Sequence, residues 1–115
     1  MFSAKHSKQE IGKLGEEEAY KFLKSKGYRI IERNYQKPWG EIDIIAVSPD
    51  KALVFFEVKT LRQFSDPEAS LKPEDNLSQA KLKKIRRSAQ MFSAKHSDLI
   101  NEEKGWRIDL LALTL

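Results

Sequence analysis

Two runs rich in Ile, Val and Phe, Glu41 to Val47 and Ala52 to Lys59, flank the stretch Ser48-Pro49-Asp50-Lys51. Runs of this kind around a Pro-Asp turn read as two strands joined in a hairpin. Side chains on a strand alternate between faces, so Glu41, Asp43, Ile45 and Val47 share one face, as do Leu53, Phe55, Glu57 and Lys59. A hairpin symmetric about residue 50 pairs Val47 with Leu53 and Ile45 with Phe55. Asp43 then falls opposite Glu57, and Glu41 opposite Lys59. One face therefore begins apolar at the turn and becomes densely charged at the far end.

Like charges directly across a ladder destabilise a sheet, so the opposed carboxylates call for a counter-charge. A hard divalent cation such as Mg²⁺ takes oxygen ligands, often one or two carboxylates with waters. Such an ion polarises a phosphoryl oxygen and lowers the pKa of a water it holds. Lys59, two residues beyond Glu57, projects the same way and could position the attacking water or steady developing negative charge. The alternative is a solvated rim, with Glu41 and Lys59 forming a cross-strand ion pair of small worth. Spacing alone leaves both readings open.

The rest of the chain frames this hairpin. Ser7 to Lys26 reads as a helix whose apolar face carries Ile11, Leu14, Gly15, Ala19 and Phe22, with Gly27 as its stop. Glu18 falls among these positions and either sits in water at the rim or points into a polar site. A strand from Tyr28 to Tyr35 follows, closed by Lys37-Pro38-Trp39-Gly40. Gln63 to Asp75, with two prolines, reads as a loop. A second helix from Leu77 to His96 buries Leu82, Ile85, Ala89 and Phe92, and Trp106 to Leu113 reads as a final strand covered on both faces, with Trp106 in the core. Three meandering strands and a fourth reached through a helical crossover make a mixed sheet flanked by helices, an α/β domain over residues 1–115.

Composition narrows the function classes. The chain lacks cysteine, which removes disulfides, a cysteine nucleophile and thiolate zinc sites. A net charge of +4 favours polyanionic partners in a general way. No apolar run approaches the roughly 20 residues of a membrane span, and residues 1–7 lack a secretory apolar stretch, so a cytoplasmic location is expected. No phosphate-binding Gly-Lys-Ser/Thr loop, dinucleotide fingerprint or nucleophile elbow is present. Met1 to Ser7 and Met91 to Ser97 are the same heptapeptide, for which we have no physical account. His6 and His96 belong to it and have no evident partner.

Gly40-Glu41-Ile42-Asp43-Ile44-Ile45 followed by Phe55-Phe56-Glu57-Val58-Lys59-Thr60 resembles the signature of the YraN-like proteins. The resemblance extends through Leu14-Gly15-Glu16, Gly27-Tyr28 and Glu32-Arg33-Asn34-Tyr35, and more weakly through Lys81 and Arg107-Ile108-Asp109. That family is similar to Holliday-junction resolvases of the PD-(D/E)XK, or restriction-endonuclease-like, superfamily. The resemblance implies an αβββαβ core, with Asp43, Glu57 and Lys59 in the places of the D…(D/E)XK triad and Glu16 as an added acidic ligand. Ile42 stands where the superfamily's name has proline, and Glu18 where such proteins commonly carry an apolar residue.

The expectation is a metal-dependent nuclease acting on DNA, branched or structured DNA included, with Mg²⁺ or Mn²⁺ held by Asp43 and Glu57. Lys59 would serve the attacking water and Glu16 complete the acidic set. The basic face of the second helix, Lys81, Lys83, Lys84 and Arg87, would hold the nucleic-acid backbone, although such a face is also what any solvated helix presents. Gln79 and Lys81, in its first turn, could approach the scissile phosphate. Trp39 could stack on a base or simply pack on its neighbours. Resolvase-like relatives cut two strands as dimers, so a homodimer is expected from the resemblance. The competing class is a non-cleaving module on the same fold that binds nucleic acid or a partner protein.

Overall fold

A computed structural model describes residues 7–61 and 77–115. The predicted Gln63–Asp75 loop and residues 1–6 of the first heptapeptide copy lie outside the described residues. The elements run α1 (Lys8–Ser25), β1 (Arg29–Lys37), β2 (Gly40–Val47), β3 (Leu53–Leu61), α2 (Gln79–Lys95), a short 3₁₀ turn (Ser97–Leu99) and β4 (Trp106–Thr114). This is the αβββαβ order expected.

The four strands form one sheet in the order β1-β2-β3-β4, antiparallel except for the parallel β3–β4 pair. Parallel pairing requires a crossover, and α2 lies within it. The hairpin register is the one expected, Val47 with Leu53 and Ile45 with Phe55. Ser48 closes the turn: its backbone N–H donates to the Ala52 carbonyl at 2.8 Å, and its hydroxyl accepts the Ala52 N–H at 3.0 Å.

Each face of the sheet carries its own core. Val54 and Phe56 of β3 pack with Ala19 and Leu23 of α1, whereas Leu53 and Phe55 pack with Ala89 and Phe92 of α2. Phe55 is fully buried, edge-on to Phe92 at 5.8 Å and to Trp106 at 5.6 Å. Truncating a side chain so placed costs about 3–5 kcal/mol.

Ser7 caps α1, its hydroxyl accepting the Glu10 N–H at 3.1 Å. At the other end Gly27, at φ 87°, lets its own N–H reach the Lys24 carbonyl and that of Tyr28 the Leu23 carbonyl. The buried stripe is Ile11, Gly15, Ala19 and Leu23. Leu14 and Phe22, expected on that face, are instead 39% and 43% exposed. The reason is closeness: a Cβ on Gly15 would lie 2.9 Å from the Thr60 Cβ, so small residues bring α1 onto β3 along one narrow ridge. Glu18 is exposed and pairs with Lys21 at 3.6 Å, which resolves its two readings in favour of the rim.

In α2, Ile85, Ser88, Ala89 and Phe92 are buried and Leu82 half-buried, close to the expected stripe. β4 departs from expectation. Among the described residues it is an edge strand paired with β3 alone, and Trp106 and the residues from Ile108 to Leu113 are half-buried rather than covered. Among the described residues no helix is long and apolar enough to cross a membrane.

Candidate active site

A break in strand alternation builds the site. Residues two apart on a strand should face the same way, yet Ile42 lies in the core under α2 and Ile44 in the core under α1. β1 breaks at the same level. Tyr35 meets Phe92 of α2 edge-on at 5.4 Å, while Arg33 pairs with Glu17 of α1 at 2.8 Å. Asn34 and Asp43 lie between the ladder pairs Arg33–Ile44 and Tyr35–Ile42. Asn34 takes φ 51°, a conformation that Asn tolerates better than most residues.

The β2–β3 ladder ends beside this twist, at the pair Ile44–Phe56. The expected pairs Asp43–Glu57 and Glu41–Lys59 therefore do not extend it. Repulsion between the carboxylates opposes closure there. The Asp43 side chain takes up the backbone group exposed by the opening: its Oδ2 accepts the Val58 N–H at 2.7 Å. Burial nonetheless pushes the Asp43 carboxyl up to about 7, since this hydrogen bond is outweighed by desolvation together with the charges of Glu57, Glu16 and Glu41.

Glu16, Glu57, Lys59 and Lys81 line one cavity of about 450 Å³ with Ile11, Gly12, Val58 and Thr60. Glu16 reaches it because it follows Gly15, where α1 packs closely on Thr60 of β3. Asp43 does not line the cavity but is hydrogen-bonded to Val58, which does. A neighbouring cavity of about 480 Å³ is lined by Gly40, Glu41, Glu57, Ser78, Lys81 and Lys84, so Glu57 and Lys81 border both. The Lys81 ammonium pairs with the Glu57 carboxylate.

The structure thus gathers Glu16, Asp43, Glu57, Lys59 and Lys81 at one end of the sheet, with Lys84 beside them. Lys83 and Arg87 are exposed on α2 and line neither cavity. Glu41, expected only as a partner for Lys59, adds to the negative charge around Asp43. Its position two residues before Asp43 was the available signal. Trp39 is half-buried with its Nε1 enclosed, which fits packing rather than an open stacking platform.

The donor chemistry suits a hard cation, because the converging groups are carboxylates and desolvation with the charges of Glu57, Glu16 and Glu41 raises the Asp43 carboxyl. As they stand, no three His, Cys, Asp or Glu side chains among the described residues are grouped to hold an ion. Glu57 is engaged by Lys81.

The sequence model of the uncharacterised protein family UPF0102 matches residues 15–113. A UPF0102 protein of Dictyoglomus turgidum is 38% identical over 107 residues, covering 93% of this chain and 84% of the relative. One of Dictyoglomus thermophilum is 47% identical over 79 residues, covering 67% of this chain. That match spans 64% of the relative's length, less than two thirds. Among solved structures, the chain is similar to a repair endonuclease from Pyrococcus abyssi, with a TM-score of 0.47 and 16% identity, over 99% of this chain and 42% of that one.

Proposed function

The chain belongs to the uncharacterised protein family UPF0102, and we propose that it is a metal-dependent nuclease that hydrolyses phosphodiester bonds in DNA. One observation carries this reading: Asp43, half-buried and with its carboxyl pushed up by desolvation and by the charges of Glu57, Glu16 and Glu41, is hydrogen-bonded to Val58 in the wall of a cavity that also presents Glu16, Glu57 and Lys59. A carboxylate cluster of this kind is poorly explained as a solvated rim, because drawing carboxylates together while removing them from water costs stability.

Asp43 and Glu57 would hold Mg²⁺ or Mn²⁺, with Glu16 completing the acidic set. Bound there, the ion supplies Lewis-acid stabilisation of charge on a phosphoryl oxygen. Lys59 orients the attacking water and steadies negative charge at the phosphate. Lys84 holds the DNA backbone beside the site, and Lys83 and Arg87 extend that contact along α2. Branched DNA is the substrate form that the resemblance to junction resolvases favours.

The second reading, a nucleic-acid-binding module that does not cut, is favoured by the ion pair that already neutralises Glu57. One experiment separates the two. Linear, single-stranded and four-way-junction DNA are incubated with the protein in Mg²⁺, Mn²⁺ or chelator, beside Asp43→Asn and Lys59→Ala. The nuclease reading expects metal-dependent cutting lost in both variants. Binding without cutting under every metal condition, undiminished in the variants, would sink it.

A further inference from the structure

Lys81 stands in an unusual place for a cation. It lies in the first turn of α2, where the helix dipole disfavours positive charge, and that turn contains no acidic residue. It precedes Ile85 by one helical turn, so it continues the buried stripe of α2 and is aimed at the sheet, unlike Lys83 and Arg87. There it meets Glu57, whose side chain is only 14% exposed against 55% for that of Lys81. The carboxylate is thus held in the wall while the lysine remains open to both cavities.

We propose that Lys81 is an internal counter-ion that competes with a divalent cation for Glu57, and that a nucleic-acid phosphate relieves this competition by drawing Lys81 away. The inference rests on the metal-dependent reading above and adds a coupling between the cation and the polyanion. Glu57 can be neutralised by Lys81 or by the cation, and Lys81 by Glu57 or by a phosphate. Exchange of partners leaves every charge paired only when cation and phosphate are both present. Each then tightens the binding of the other by the same factor. With neither present, the Lys81–Glu57 pair closes on itself.

The test is Mn²⁺ affinity by titration calorimetry on the full chain, with thermal melts to verify folding. Lys81→Met keeps the length of the side chain and removes its charge. Lys104→Met removes the same charge from the turn before β4, near the opposite end of β3. Without DNA, Lys81→Met should bind Mn²⁺ about five- to tenfold more tightly than the wild type, and Lys104→Met within about twofold of it. A short DNA duplex, added in a Lys59→Ala background to prevent its consumption, should tighten Mn²⁺ binding several-fold, and much less once Lys81→Met is added. Affinity in Lys81→Met no greater than in Lys104→Met would overturn the competition. An equal effect of the duplex with and without Lys81 would overturn the coupling. If neither wild type nor Lys81→Met binds Mn²⁺, the metal-dependent reading falls with them.

Discussion

The Asp43 carboxylate accepts the backbone N–H of Val58 at 2.7 Å, in the opening where the β2–β3 ladder has ended. A side chain thereby takes the place of a strand partner. The hydrogen bond places Asp43 within the electrostatic reach of Glu16, Glu41 and Glu57, in surroundings that disfavour its charge.

That environment has a pH signature. The Asp43 carboxyl ionises near 7 in the folded chain and near 3.8 as the unperturbed group. Between these values the folded state holds a proton that the unfolded state has lost, so stability declines as pH rises through this window and levels off above it. The slope from this group is at most about 1.4 kcal/mol per pH unit. In chelator, the thermal midpoint of Asp43→Asn should decline less from pH 4 to 7 than that of the wild type, and lie higher at pH 7.5. Equal slopes would refute the assignment. Divalent cations require the ionised form, so Mg²⁺ should raise the wild-type midpoint more at pH 8 than at pH 6.

Gly15 sets the distance between α1 and β3. Gly15→Ala drives a methyl group into Thr60 and should cost about 1–3 kcal/mol by urea denaturation, despite alanine's better helix propensity. Combining it with Thr60→Ala should recover part of the loss. A Gly15→Ala chain as stable as the wild type would show that α1 does not pack as described.

Position along α2 should separate its basic residues. Lys84 borders a cavity with Glu57, whereas Lys83 does not. Lys84→Ala should weaken duplex binding by more than Lys83→Ala and lower the salt-dependence slope by about 1. Fluorescence anisotropy across a salt series measures both quantities. Equal losses would mean that the DNA contacts α2 as a uniformly charged rod.

Ser88 is fully buried, and its hydroxyl has no hydrogen-bond partner among the described residues. An enclosed, unsatisfied hydroxyl is a cost, so Ser88→Ala should be neutral or stabilising by up to about 1 kcal/mol. Loss of stability in a denaturant titration would instead indicate a hydrogen bond to that oxygen.

Element order and the hairpin register were legible from the chain because they depend on local rules, whereas Glu16 entered only through the family resemblance. Alternation sets which residues of β2 and β3 can face each other, the Ser48–Lys51 turn sets their offset, and Gly27 ends α1 through a backbone conformation that favours glycine. What the sequence could not specify depends on packing between distant segments. The twist at Asn34 and Asp43 arises where β1 and β2 each pass from the α1 core to the α2 core, and no single-strand pattern encodes that transfer. Leu14 and Phe22 are as apolar as Leu23, but only a close approach of Gly15 to Thr60 narrows the buried ridge enough to exclude them. The pairing of Lys81 with Glu57 likewise joins residues far apart in the chain. Sequence placed the charges on their elements; the tertiary structure decided which of them meet, because burial and the loss of ladder partners act only once both helices lie on the sheet.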